Sequence, residues 1–180
     1  MKFPKLHLVC AHDELRPTME CICVGKEYTY ASDGHVLVRH NTTEIFKYDF
    51  TSSLPDESIM IHRKAIFLMC QKATEMVSLS SDKTKFQLHR LDSSIITYKL
   101  YTGGKYVNAE SVIPNLKDIK PLKKIGLSAL LMSRLADGLG CDIPILHLSF
   151  ITDHTAVYAT SPHTDYSGAI GIIMSTILTH

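Results

Sequence analysis

The composition is that of a folded protein and excludes several functional classes. The 180-residue chain is 45% hydrophobic and 21% charged, with a formal net charge of +1 at pH 7. This balance excludes a disordered charged tail, and it requires any contact with nucleic acid to come from a local basic patch. Five cysteines without framework spacing favour reduced thiols and a cytoplasmic protein. No apolar run has the length that spans a bilayer, so we expect no contact with a membrane.

The first 53 residues predict short strands separated by turns. Residues 6–10 predict a strand or a short buried segment, and a second strand lies within 19–24. Two further strands, 27–30 and 35–40, flank a polar corner at 31–34. An Asp-Gly pair in that corner is typical of a tight turn, because glycine tolerates a positive φ. We interpret 45–53 as a connector.

The next part of the sequence predicts a strand, a helix and three strands, and the same order of elements is then repeated. The first copy has a helix over 63–76, supported by apolar residues at helical spacing, namely Ile66, Met69, Cys70, Ala73 and Val77. Its strands are predicted at 58–61, 77–79, 86–90 and 95–101. The second copy has a helix over 128–139, with Ser128 as its N-cap and Gly140 after its end. Its strands are predicted at 124–126, 145–150, 156–159 and 169–177.

Several short motifs, in order along the chain, resemble those of bacterial sliding clamps, the beta subunit of DNA polymerase III. Segment 31–37 reads ASDGHVL and is similar to the A-T-D-G-H-R-L segment of that family. Segment 13–17, DELRP, is similar to the family's D-E-x-R-P. Further segments resemble R-K, F-T-S-K-L, G-R-F, V-L-P and V-V-M-P-M-R-L, namely 63–64, 96–100, 104–106, 112–114 and 172–178. Together these motifs match the middle domain of a clamp plus the last half of its final domain.

The resemblance implies an α+β fold of repeated βαβββ units, with a continuous antiparallel sheet and two helices on one face. It implies a clamp-like domain over 1–112, whose first half-unit lacks its helix, and an additional half-domain over 113–180. A ring would then require several copies of the chain, so a homo-oligomer is expected.

The implied function is a DNA processivity or tethering protein without catalytic activity or cofactor. The helices would face the DNA backbone, contacting it without reading sequence through solvent-facing Lys64, Lys72 and Arg134. A hydrophobic groove would take a short peptide of a DNA polymerase or another replication or repair protein. By the resemblance, its wall comprises Met19, Ser32, Gly34, His35, Leu37, Pro114, Ile172 and Met174. The alternative is a clamp-derived interaction module that does not encircle DNA.

Two departures from the family pattern leave the ligand of this groove open. Val36 stands where the family has arginine, and Ser175, Thr176 and Ile177 stand where it has Pro-Met-Arg.

Two other chemistries are weighed and disfavoured. A metal site of Cys10, His12, Cys21 and Cys23 lacks the spacing of zinc fingers, and buried core cysteines are the better interpretation. A third function, a hydrolase built on Ser32, Asp33 and His35, lacks a nucleophile elbow. We therefore expect neither a metal nor an enzyme.

Overall fold

The computed structural model describes residues 3–113, 127–143, 145–150 and 156–174. Pro114, the strand predicted at 124–126 and the part of the last strand beyond Met174 lie outside these residues.

The described residues form ten strands, four α-helices and two 3-10 turns. In chain order, the elements are a 3-10 turn at Leu6–Leu8, β1 (Cys21–Val24), β2 (Tyr28–Ser32), β3 (Val36–Asn41), α1 (Thr42–Ile45), α2 (Tyr48–Ser53), β4 (Ile59–His62), α3 (Arg63–Met69), β5 (Thr74–Leu79), β6 (Lys85–Arg90), β7 (Ile95–Lys99), a 3-10 turn at Ala109–Val112, α4 (Ala129–Leu139), β8 (His147–Phe150), β9 (Ala156–Thr160) and β10 (Ile170–Met174). None of these helices has the length and apolar character that crossing a membrane requires.

The strands form two antiparallel sheets. The larger sheet has seven strands in the order β4-β1-β2-β3-β10-β9-β8, and the smaller has the order β5-β6-β7. The predicted α+β class with antiparallel sheets is confirmed, but the prediction of one continuous sheet is wrong. Just after β7, Tyr101 N donates a hydrogen bond to Met60 O in β4, at the place where the two sheets meet.

The strand β3 belongs to the predicted domain 1–112 and β10 to the predicted half-domain 113–180. Their pairing joins these two segments. Leu37 lies opposite Ile172 in this pairing, and α4 packs on both strands. The second half-unit therefore extends the sheet that the first residues begin.

The helices α3 and α4 both contact the 3-10 turn at Leu6–Leu8, on one side of the larger sheet, and together they form the helix layer. The helix α4 matches its prediction, since Ser128 Oγ accepts from Leu131 N and Gly140 has φ +73°. The main core lies between this layer and the sheets, and its fully buried members include Leu6, Ile22, Ile66, Leu88 and Leu135.

Two local predictions are wrong in extent. The helix α3 ends at Met69 instead of residue 76, because the chain from Thr74 onward pairs with β6. Thr74 Oγ1 donates to Leu68 O at 3.0 Å, which satisfies one of the helix's terminal carbonyls. The connector predicted at 45–53 contains the end of α1 and all of α2, whose Phe50 is buried in the core.

Candidate functional site

The corner between β2 and β3 is held by its own side chains. Ser32 Oγ donates to Val36 O at 2.8 Å and accepts from Gly34 N at 3.1 Å. Asp33 Oδ1 accepts from the N–H groups of His35 and Val36, both at 2.9 Å. Gly34 has φ +91°, a conformation that side-chain-bearing residues rarely adopt. The motif is therefore a turn closed by the side chains of Ser32 and Asp33.

Arg134 of α4 fixes this corner from the helix layer. Its Nη1 donates to Asp33 Oδ2 at 2.7 Å, and its Nε donates to Leu8 O at 2.7 Å. Its Nη2 donates to the carbonyls of Val9 and Cys10, at 3.3 and 3.4 Å. Burial alone raises the pKa of Asp33, but the hydrogen bonds from the two turn N–H groups and the Arg134 charge outweigh it, so the pKa lies below its usual value.

The groove residues that the structure describes surround this corner and the strand β10. Met174 N donates to His35 O at 2.9 Å, directly after the pairing of Val36 with Ile173. Met19 lies on the other side of the corner, since a Cβ built on Gly34 would be 3.9 Å from its Sδ. Segments distant in sequence thus meet as the resemblance implies, while Pro114 lies outside the described residues.

These residues differ in exposure. Met174 is 39% exposed, and Gly34 and His35 are exposed at the corner. Leu37 and Ile172 retain only 4% and 2% exposure. These two form a second, smaller apolar cluster with Ala109, against which Ile113, Tyr30, Ala156 and Tyr158 pack. The accessible part of the candidate groove is therefore its rim, and the cluster is a buried floor.

Glu110 fastens the segment 109–113, whose Ala109 and Ile113 belong to or pack on this cluster, to β2 and β3. The Tyr30 hydroxyl donates to Glu110 Oε1, and Arg39 Nη1 donates to both Glu110 carboxylate oxygens, at 3.1 and 3.2 Å. The Arg39 guanidinium also lies 4.4 Å from the centre of the Tyr28 ring, a cation–π geometry. Burial raises the pKa of Glu110, but the bonds from Tyr30 and Arg39 lower it overall.

The sequence analysis did not predict the polar cluster that Glu110 forms with Tyr30 and Arg39. Tyr28, Tyr30 and Arg39 lie on neighbouring strands, and strand periodicity alone could have put the two tyrosines on one face. Nothing local indicated that Glu110 would join them, because it is 71 and 80 residues away from its partners.

The three predicted DNA contacts have different surroundings. Lys64 is exposed at the start of α3, and Lys72 is exposed in the turn after that helix, not on it. The prediction that Arg134 faces solvent is wrong, because its side chain is 24% exposed and its guanidinium makes the four bonds described above. Phe67 and Leu130, on α3 and α4, are 51% and 70% exposed.

The disfavoured chemistries gain no support from the geometry. Cys10, Cys21 and Cys23 are buried, and burial raises the pKa of the Cys21 thiol to about 12. In the part of the chain that the structure describes, no group of three or more His, Cys, Asp or Glu could hold a metal ion. Ser32 and Asp33 hold the turn, as described above.

Solved structures similar to this one are bacterial sliding clamps. The Helicobacter pylori beta clamp in complex with diflunisal aligns with a TM-score of 0.70 at 11% identity, over 97% of this chain and 62% of the clamp. Caulobacter crescentus pol III beta aligns with a TM-score of 0.69 at 14% identity, over 97% and 63%. The H. pylori beta clamp bound to a DNA ligase peptide aligns with a TM-score of 0.69 at 12% identity, over 97% and 62%.

These alignments show that the chain has the sliding-clamp fold. It spans less than two thirds of the length of the clamps it matches. No protein-family model matches the sequence, and no curated protein matches it.

Proposed function

We propose that this chain, which has the fold of a bacterial sliding clamp, tethers partner proteins to DNA and has no catalytic activity of its own. The observation that supports the proposal is the contact of segment 32–37 with β10, because it brings residues predicted for the groove next to one another. A cytoplasmic homo-oligomer is part of the proposal, as the similarity to sliding clamps implies.

The partner would bind through a short hydrophobic peptide in the groove. Exposed Met174 offers apolar surface for an anchor side chain, and exposed Gly34 lets a peptide backbone approach. A similar structure is that of a clamp bound to a DNA ligase peptide, which supports a replication or repair protein as the source. Pro114 stays a proposed member of the groove.

DNA would be contacted through its phosphates by Lys64 and Lys72. Both ammonium groups are on exposed side chains, and such contacts give affinity without sequence preference. We assign Arg134 a different role, as the residue that positions the corner, because its donors are engaged within the protein.

The salt dependence of duplex binding tests this proposal. For the wild type we expect the logarithm of affinity to fall linearly with that of salt concentration. The double variant Lys64→Glu/Lys72→Glu should reduce that slope by about 1.8, since each phosphate contact contributes about 0.9. Lys99→Glu is the matched control, because Lys99 is also exposed but lies on β7. An unchanged slope in the double variant would contradict the assignment of these lysines.

The alternative function is an interaction module that does not encircle DNA. Exposed Phe67 and Leu130 favour this alternative, because they are apolar side chains on the surface of α3 and α4. A helix surface that faces DNA gains affinity from lysine and arginine at such positions. Native mass spectrometry and the DNA titration separate the two functions. An oligomer with salt-dependent DNA binding supports the clamp, whereas a monomer that binds peptide but not DNA supports the module.

A further inference from the structure

A cavity of about 600 Å³ lies between the α1–α2 segment and the beginning of β5. Among the residues that the structure describes, it is lined by none of those predicted for the groove and none of the proposed DNA contacts. Its volume falls within the range of sites that bind small molecules or side chains of a partner.

The walls of this cavity are aromatic and thioether side chains in fixed packing. Phe46 stacks on Phe50 with ring centroids 4.5 Å apart, and Phe3 lies 5.3 Å from Phe46. Met69 and Met76 add thioether side chains to the apolar lining, and Met76 is 42% exposed. Methionine side chains adapt to ligands of different shape, so this lining suits an aromatic or aliphatic anchor.

Acidic residues dominate the rim of the cavity. Asp49, Glu75 and Asp165 are exposed there, whereas Lys47 is the one lysine or arginine among the described lining residues. Glu44 also lines the cavity, but it accepts hydrogen bonds from neighbouring groups of the protein. The chain as a whole carries a net charge of +1, so this negative region is local. Its field favours a cationic occupant.

We propose that this cavity binds a basic, apolar segment of a partner protein. An aromatic or aliphatic side chain of the segment enters between Phe46 and Met76, and its flanking lysine or arginine side chains pair with Glu75 and Asp165. Among the described strands, β5 is an edge of its sheet, so an extended segment can lie beside it. This second interface is separate from the proposed peptide groove, because the two sites share no residue within the described ranges.

Methyl NMR of the full chain, labelled at the methionine methyl groups, tests the proposal. The probe is a capped peptide of alternating lysine and phenylalanine, titrated to about 1 mM, a range that detects weak binding. We expect the signals of Met69 and Met76 to shift with saturation. Met19 and Met174 report on the proposed groove in the same spectrum, and they should not move.

Charge variants of the rim test the basic character of the occupant. Glu75→Gln and Asp165→Asn should each raise the dissociation constant about two- to fivefold, as expected for an exposed charge pair. Lys47→Gln should lower it by a similar factor, because it removes the competing cation. Glu14→Gln is the control, since Glu14 is exposed and does not line the cavity.

Three results would overturn the proposal. They are unmoved Met69 and Met76 signals, equal binding of a probe with glutamate in place of lysine, and rim variants that match the Glu14→Gln control. Shifts at Met19 and Met174 alone would also reject this cavity while leaving the proposed groove supported. Shifts at Met69 and Met76 without shifts at Met19 and Met174 would support the cavity and not the groove. The two proposals therefore fail separately.

Discussion

Arg134 donates a hydrogen bond of 2.7 Å to the carboxylate of Asp33, 101 residues earlier in the chain. The pair joins α4 to the corner that presents Gly34 and His35. Asp33 side-chain exposure is 10% and that of Arg134 is 24%, so solvent screens the pair less than a surface pair. The corner of the candidate groove is thus held by a contact between residues 101 positions apart.

Arg134→Met should destabilise the protein by about 2–4 kcal/mol. The substitution keeps the aliphatic stem but removes the Arg134 charge and the donor to Asp33 Oδ2 and to the carbonyl of Leu8. Urea unfolding at neutral pH measures the loss. The control is Lys5→Met, which removes the more exposed ion pair with Asp137 and should cost less than about 1 kcal/mol. Equal losses in the two variants would show that the corner does not rely on Arg134.

Acid should destabilise the protein through His40. The ring is fully buried, with Nε2 2.8 Å from Gly138 O, and burial lowers its pKa from 6.5 to about 4. The unfolded chain therefore binds a proton that the folded chain does not. The contribution of neutral His40 to the free energy of unfolding is complete above pH 6.5. That free energy falls by up to about 3 kcal/mol as the pH approaches 4.

His40→Gln should flatten this pH dependence. Its side-chain amide can still donate to the Gly138 carbonyl, but it does not titrate. Urea unfolding at several pH values between 7.5 and 4.5 gives the two stability curves. Burial also lowers the pKa of His7, which acts in the same direction in both proteins. The difference between the curves therefore isolates His40, and parallel curves would refute the prediction.

Gly34→Ala should cost about 1–2 kcal/mol. The residue has φ +91°, where a Cβ is strained, and that Cβ would also lie 3.2 Å from Arg16 Nη1. Gly104→Ala is a matched control, because its Cβ would lie 3.2 Å from Thr18 Cγ2 at a φ that is not positive. Thermal unfolding of both variants separates backbone strain from crowding. A Gly34→Ala midpoint no lower than that of the control would mean the turn has another conformation.

Met174→Lys should weaken groove binding about tenfold, because it puts a charge where the anchor side chain of the peptide would be desolvated. The readout is the fluorescence anisotropy of a labelled peptide with two large apolar residues. Folding stability should change by less than about 1 kcal/mol, since Met174 is 39% exposed. Met76→Lys, at a methionine of 42% exposure outside the groove, should leave this affinity unchanged. A similar loss in both variants would reject the groove as the binding site.

The sequence by itself determined the features that rest on local chemistry. Asp33 and Gly34 indicated the corner because its turn is closed by side chains within four residues. Ser128 and Gly140 indicated α4 because capping groups act on the nearest turn of the helix. The order of these elements, together with the motifs around them, was enough to predict the clamp-like fold.

Only the tertiary structure decided what depends on distant partners. The helix α3 stops at Met69 because β6, a later strand, pairs with the residues after it, which helical spacing cannot reveal. Arg134 was predicted to face solvent because helix periodicity assigns a face but not the length and reach of a side chain. Its guanidinium is instead engaged by carbonyls and a carboxylate that folding brings together from the first 33 residues. Burying such acceptors without a donor is costly, and that cost turns Arg134 inward.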